Sequence, residues 1–395
     1  MIASPSVVSL RKSLALLWIA HLFMDFFTGI WPIYKTLAEL DLFYAGLIAG
    51  VAGFFGEILQ LIFGYFSDRG HAKKILLLGL TFASLIVWVT FVEHLHSLFF
   101  LILLVMIGSG SFHPAATGIA GALSRFQKGR VILFFASGGS IGLAISQLAF
   151  TSITNFFEGH CYFILIPFSV VFLFILMHKF PSPRNGPMPS SLRSFIEPIL
   201  KNKRPVVLLY FAQVANFAMM SAFLFLLPDL LRLKECNTWL CMGGGHLCFV
   251  LASALIMTPI GYLCDRFGQK IILLLVLIIS ISLFYSFLVF DQLNTVGTLA
   301  LLSSLGAFLG IINPIIVSWG HRLIPENPST ISALLMGFAW CFGNLGATCV
   351  GYMTQIFQEN AIVYAIASMG LAMMLVLFFI FFMPSPQRVL EQEPR

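Results

Sequence analysis

Asp25 and Glu57 stand near the middle of two apolar runs, 14–38 and 43–66, where an ionised side chain has little water to solvate it. A central charge costs at least about 2.5–3.5 kcal/mol even on insertion scales, so such carboxyls normally face a cavity and carry function. His21 lies four residues before Asp25 and Gln60 three after Glu57, spacings that put each pair on one helical face. Either carboxyl could bind and release a proton; a purely structural His21–Asp25 or Glu57–Gln60 hydrogen bond would use the same residues. His113 precedes Pro114 inside a third apolar run, 97–121. Proline removes a backbone donor, bends the helix and frees a carbonyl that a cavity can use. A protonated His113 would hold an anionic group, whereas a neutral one would serve as a buried hydrogen-bonding residue. Gln213 and Asn216 in the run 205–231, and Asn313 before Pro314 in the run 294–318, add neutral polar positions. No Lys or Arg lies deep inside a run, so a multiply charged phosphate would find no fixed cation.

These residues need elements that can hold them in lipid. Apolar residues make up 59% of the 395-residue chain and charged ones only 10%, against about 25% charged in a soluble domain. Mean hydropathy is +0.96. Twelve apolar runs approach the roughly 20 residues needed to cross the hydrocarbon: 14–38, 43–66, 74–92, 97–121, 130–155, 161–180, 205–231, 244–264, 270–290, 294–318, 330–355 and 361–383. The expected fold is an all-α polytopic membrane protein of twelve transmembrane helices. With the N-terminus in the cytoplasm, every lysine and arginine except Lys35, Arg232 and Lys234 falls on the inner side, and the C-terminus is inside too. Arg11 and Lys12 before the first run resemble the start of a signal peptide, but the run is too long for one and reads as a retained helix.

The one long polar stretch, 181–204, is rich in Pro, Ser and Gly and reads as a linker between six runs and six, with a short surface helix over 191–200. The domain organisation is therefore 1–180, a cytoplasmic linker 181–204, and 205–395. The remaining loops leave no room for a soluble catalytic domain. Gly243-Gly244-Gly245 lacks the Lys-Ser/Thr ending of an ATP-binding loop, and there is no clustered nucleophile or metal-ligand set, so the chain is not read as an enzyme and neither a cofactor nor a metal is expected. Five of the seven cysteines lie in or beside apolar runs as small packing residues. Cys236 and Cys241 share an outer loop, where a disulfide is one option.

The two halves repeat. Gly64-Tyr65-Phe66-Ser67-Asp68-Arg69 recurs as Gly261-Tyr262-Leu263-Cys264-Asp265-Arg266, each copy closing an apolar run. His113-Pro114 is matched by Asn313-Pro314, and Gly139 with Gly142 by Gly343 with Gly346, in the same order. Duplicated halves in a membrane protein usually flank a transport pathway. The glycine faces around 137–142 and 337–346 permit close helix approach and read as the sliding interface between halves.

With its Gly-x-x-x-Asp-Arg loops, the chain resembles the major facilitator superfamily. The second copy keeps Gly261, Asp265, Arg266, Gly268 and Lys270; the first keeps Gly64, Asp68 and Arg69 but has Gly70 where the pattern puts a glycine at position 71. A finer resemblance, to the fosmidomycin-resistance branch, rests on His21 to Asp25, Gln60, and Gly110-Ser111-Phe112-His113-Pro114. It departs in the fifth run, where Ser140 to Gln147 lacks the Gly-Pro pair of many drug:proton antiporters. The resemblance implies two pseudo-symmetric six-helix halves, with helices 1, 4, 7 and 10 lining a central cavity. Asp68 and Asp265 would gate the cytoplasmic side against a helix N-terminus of the opposite half, where the helix dipole favours an anion; Pro328-Ser329-Thr330 would cap one such start.

The expected function is secondary active transport: proton-coupled efflux of a small polar or amphipathic compound by alternating access, the alternative being proton-coupled import of a metabolite. Asp25, His21, Glu57, Gln60, His113, Gln213, Asn216 and Asn313 would serve coupling and substrate. Gly64, Asp68, Arg69, Gly261, Asp265 and Arg266 would form the gates. The partners implied are the small molecule, protons and the lipid bilayer, with no nucleic acid; the expected state is a monomer in the bacterial inner membrane.

Overall fold

With no water in the bilayer core, backbone N–H and C=O groups must be satisfied within each segment, and this apolar chain answers with helices throughout. In the computed structural model the described residues are 7–123, 128–180, 197, 199–290, 293–325 and 331–384. Among them the crossing segments are α1 (Val7–Thr28, extended past Gly29 by Trp31–Leu37), α2 (Leu42–Ile58 with Gln60–Phe66), α3 (Ala72–Ser84 and a tighter turn Leu85–Phe91), α4 (Leu95–Ala122), α5 (Lys128–Phe156) and α6 (Leu165–Met177). There follow α7 (Lys203–Leu233), α8 (Gly245–Phe267), α9 (Gln269–Val289), α10 (Thr295–Gly310 with Ile312–Leu323), α11 (Ala339–Ile356, entered through the wide turn Ala333–Phe338) and α12 (Ala361–Phe381). The twelve segments expected from hydropathy are all present, α2 and α3 running together almost without interruption over Leu42–Phe91. The expected surface helix over 191–200, most of the linker and the capping residues Pro328 to Thr330 lie outside the described residues.

Two compact units emerge. The first holds Met1–Glu39, Phe55–Gly186 and Met242–Leu247; the second holds Leu40–Phe54, Pro187–Cys241 and Cys248–Arg395. The first unit is organised by the pairing of α1 with α5 and of α3 with α4, the second by α7 against α11 and α12.

Glycine allows the closest approaches. Gly142 of α5 meets the backbone of Leu22, and Gly346 of α11 meets that of Ala218 on α7; a Cβ at either would overlap those atoms. The glycines expected to slide between halves thus pack within each unit, Gly139 and Gly142 on α1 and Gly343 and Gly346 on α7, because short-range helix pairing already uses the small residues.

The irregular first motif copy also finds its reason. Gly70 (φ 89°, ψ 7°) and Gly268 (φ 88°, ψ 143°) both take a positive φ that favours glycine, between the end of one helix and the start of the next. The helices that follow start at Ala72 and Gln269, as far apart as the motifs themselves, so the two turns have equal length and the positive-φ glycine falls one residue earlier in the first. Cys236 and Cys241 are free thiols, and Cys241 Sγ donates to the Cys236 carbonyl at 3.4 Å.

Candidate functional site

A single carboxylate in the first unit gathers two imidazoles. His21 and Asp25 occupy successive turns of α1, and His21 Nε2 lies 3.3 Å from Asp25 Oδ2. From α4, His113 Nε2 approaches the other oxygen, Oδ1, also at 3.3 Å. The remaining ring nitrogens are fixed by backbone: His21 Nδ1 donates to the Phe135 carbonyl of α5 at 3.0 Å, and His113 Nδ1 to the Ser109 carbonyl at 2.9 Å. The His21 ring stacks on Phe135 with centroids 4.3 Å apart. Gly139 closes the arrangement from α5, where any Cβ would strike Asp25 Oδ2 and His21 Nε2. His21 is buried, while the Asp25 and His113 side chains keep 21% and 31% exposure.

Glu57 of α2 stands beside this trio. Only 4% of it is exposed. Its Oε1 accepts from the Ser109 hydroxyl at 2.9 Å, and its Oε2 accepts from Gln60 Nε2. The Ser109 oxygen is also 3.3 Å from His113 Nδ1, so one serine connects Glu57 to the histidine. The helices can come this close because Gly56 meets the Met106 backbone and Gly110 meets the Gly56 carbonyl. Pro114 has no N–H to give back into α4, which loosens the ladder beside His113.

In the second unit Gln213 Nε2 donates to Asn313 Oδ1, joining α7 to α10, and Asn216 is buried one turn along α7. Gln213 Oε1 is buried with no partner among the described residues. Matching Leu22 to Ala218 through their glycine contacts puts Phe217 where His21 stands and Ser221 where Asp25 stands. At these two matched positions, among the described residues, the titratable side chains are those of the first half.

At the loop motifs, Asp265 pairs with Arg322 at the end of α10, both largely exposed, a setting in which an ion pair contributes about 0–1 kcal/mol. Asp68 is exposed, and Arg69 covers the Tyr65 ring with its guanidinium 4.0 Å from the centroid. A Cβ at Gly64 would come no closer than 3.6 Å to Pro114, and one at Gly261 would meet nothing within 4 Å. Arg266 lies over Phe267 at 5.2 Å.

Sequence reasoning named every titratable member of the cluster but neither Ser109 nor the pairing of Arg322 with Asp265. Ser109 sits four residues before His113, a spacing that could have marked it. The Phe135 carbonyl carries no side-chain signal at all.

Twelve apolar helices in a duplicated order, with polar side chains gathered on α1, α2, α4, α7 and α10, define a multi-pass membrane carrier. The Major Facilitator Superfamily model matches residues 14–343, and the chain belongs to that family. It is 24% identical over 395 residues to the Fosmidomycin resistance protein of Escherichia coli (strain K12), covering 95% of each chain. It is 22% identical to the Uncharacterized MFS-type transporter YfnC of Bacillus subtilis (strain 168), covering 96% of this chain and 94% of that one. The fold is similar to that of a bacterial homolog of the human lysosomal transporter Spinster in an inward-facing, occupied conformation, with TM-score 0.79 at 14% identity over 100% of both chains. It is also similar to the nucleoside transporter NupG, with TM-score 0.75 at 14% identity over 95% of this chain and 98% of that one. The protein is thus a multi-pass membrane transporter of a bacterial type, in a family of transporters rather than enzymes.

Proposed function

We propose that this carrier exports a small polar or amphipathic compound across the bacterial inner membrane in exchange for protons, with both termini in the cytoplasm. Two halves, 1–180 and 205–395, alternate access around a midplane site and are joined by the 181–204 linker; the functional unit is a monomer. The observation that carries the coupling is Glu57, buried yet satisfied at both oxygens by Gln60 and Ser109. Ser109 can donate to an ionised Glu57 or, by rotating its hydroxyl, accept from a protonated one, so either state has a partner. The same serine reaches His113, which ties the charge on Glu57 to the polar wall formed by His21, Asp25 and His113. Gln213, Asn216 and Asn313 supply the neutral wall, and the two Gly-x-x-x-Asp-Arg loops (Gly64, Asp68, Arg69; Gly261, Asp265, Arg266) act as cytoplasmic gates.

Resemblance to a fosmidomycin-resistance protein supports efflux and supplies the first compound to test. Fosmidomycin accumulation in energised, efflux-deficient bacteria should fall on expression of the wild type, and recover with an uncoupler or with Glu57→Gln at equal membrane expression. Unchanged accumulation would remove this compound. A Glu57→Gln carrier with full, uncoupler-sensitive export would remove the coupling role. A second reading, import of a metabolite, is favoured by one feature: α5 carries no proline between Ser140 and Gln147. Proton-driven uptake by the wild type would establish it.

A further inference from the structure

We propose that His21, Asp25 and His113 bind one divalent transition-metal ion. The inference is independent of the direction and cargo of transport.

Hydrogen bonding makes the first argument. A backbone carbonyl only accepts, so the contacts of His21 Nδ1 with Phe135 O and of His113 Nδ1 with Ser109 O require a proton on each Nδ1. The Ser109 hydroxyl cannot supply the proton instead, because it is spent on Glu57. A ring that carries this proton alone turns the lone pair of its Nε2 toward an oxygen of Asp25. Three electron-pair donors converge on one gap, and a cation is what such a gap accommodates. Metal-bound histidines typically hold their second nitrogen in this way, donating it to a carbonyl or carboxylate that fixes the tautomer and ring.

The dimensions agree. Ligands about 2.1 Å from a tetrahedral ion stand about 3.4 Å apart, and the two His–Asp separations are both 3.3 Å. The ligand atoms of the three residues all lie within 4.8 Å of one another, so a swing of the half-exposed His113 ring by roughly 1 Å completes the shell. Linear spacing hides the set because two helices supply it. Gly139 bears on it as well: a side chain there would press on Asp25 Oδ2 and His21 Nε2, the atoms that would grip the ion.

Donor chemistry selects the ion. Two imidazoles and one carboxylate suit Zn²⁺, Co²⁺, Ni²⁺ or Fe²⁺, whereas Mg²⁺ and Ca²⁺ prefer all-oxygen sites. Three protein ligands leave at least one coordination position for water or for a chelating group of a bound molecule. The repeat offers no second site, since Phe217, Ser221 and Asn313 replace the three ligands in the other half. One ion per chain follows.

The test uses the full-length protein in detergent, titrated with Co²⁺ and read by its visible absorption. His94 and His96 are exposed and could hold Co²⁺ adventitiously, so the background carries His94→Gln and His96→Gln. The expected result is one Co²⁺ per chain, displaced by Zn²⁺, with affinity at least tenfold weaker in Asp25→Asn and in His113→Gln. No binding, or equal binding in both variants, would overturn the proposal, the first outcome meaning that protons occupy Nε2 instead. Should a variant fail to fold, X-ray absorption of the Zn²⁺-loaded background protein decides: two imidazoles with oxygen support the site, and any sulfur or other imidazole count refutes it.

Discussion

Ser109 Oγ lies 2.9 Å from Glu57 Oε1, and the carbonyl of the same serine receives the Nδ1 proton of His113. One small residue on α4 thus serves two titratable side chains through two different atoms, the hydroxyl for the carboxyl and the backbone for the ring. The consequences are separable by mutation, because only the hydroxyl can be removed.

Ser109→Ala should leave His113 in place while depriving buried Glu57 of a donor. An unsatisfied buried group costs about 1–3 kcal/mol, so the melting temperature should fall by a few degrees. The pH profile of transport should move while substrate affinity changes little. A shift in affinity with no change in the pH profile would show that Ser109 works through His113 instead.

Gly139→Ala puts a methyl group onto Asp25 Oδ2 and His21 Nε2. Overpacking of this kind costs about 1–3 kcal/mol. Transport should drop at least tenfold with membrane expression retained, whereas Gly297→Ala, at the start of α10, meets nothing closer than 3.3 Å and should stay near wild type. Transport assays on proteoliposomes with matched protein content compare the two.

Gln213 and Asn313 form a side-chain pair between α7 and α10, and the other Gln213 oxygen is buried without a partner among the described residues. Asn313→Leu should therefore destabilise by more than Gln213→Leu, Asn313→Leu together, since the single change strands the whole Gln213 amide. A coupling of about 1 kcal/mol is expected from a double-mutant cycle on thermal or denaturant stability. Strict additivity would mean that the pair contributes nothing.

His178, just beyond α6, exchanges a 2.7 Å hydrogen bond with Ser13 of α1. Burial, then the nearby charges of Lys73 and Lys12, hold its pKa below the ordinary histidine value of 6.5. The native state therefore disfavours the imidazolium, and the unfolded chain takes up the proton first. This contribution is fully present above pH 6.5 and is lost as pH falls below it, so the melting temperature should decline on acidification. In His178→Gln the decline over that window should be smaller; an unchanged decline would assign it to other groups.

Helix positions were legible because hydropathy and length decide them in a bilayer, and α2, α4, α9 and α12 begin and end within a few residues of the apolar runs. Asp25, Glu57 and His113 were legible because polar side chains at that depth are costly and stand out. Their grouping was not. Whether His113 meets Asp25 depends on the rotation of α4 against α1, which is set by close contacts such as Gly139 on α1 and Gly110 on α2 that no periodicity encodes. The same blindness reassigns the glycines of α5: a small-residue stripe announces a close neighbour without saying which one. Arg322 was visible as an inner-side cation, but its pairing with Asp265 comes from the fold of the second unit.

The positive-φ glycines at 70 and 268 bear on how such a chain should be read. A gapless overlay of the two repeats sets Gly70 against Phe267 and registers a lost glycine. The backbone places a positive-φ glycine in both turns, one step later in the second, with no residue inserted. Residue-by-residue scoring treats the first motif as degenerate, although its turn keeps a positive-φ glycine within a span of the same length. Internal homology in duplicated carriers is therefore better measured between conformational landmarks than along a fixed ruler.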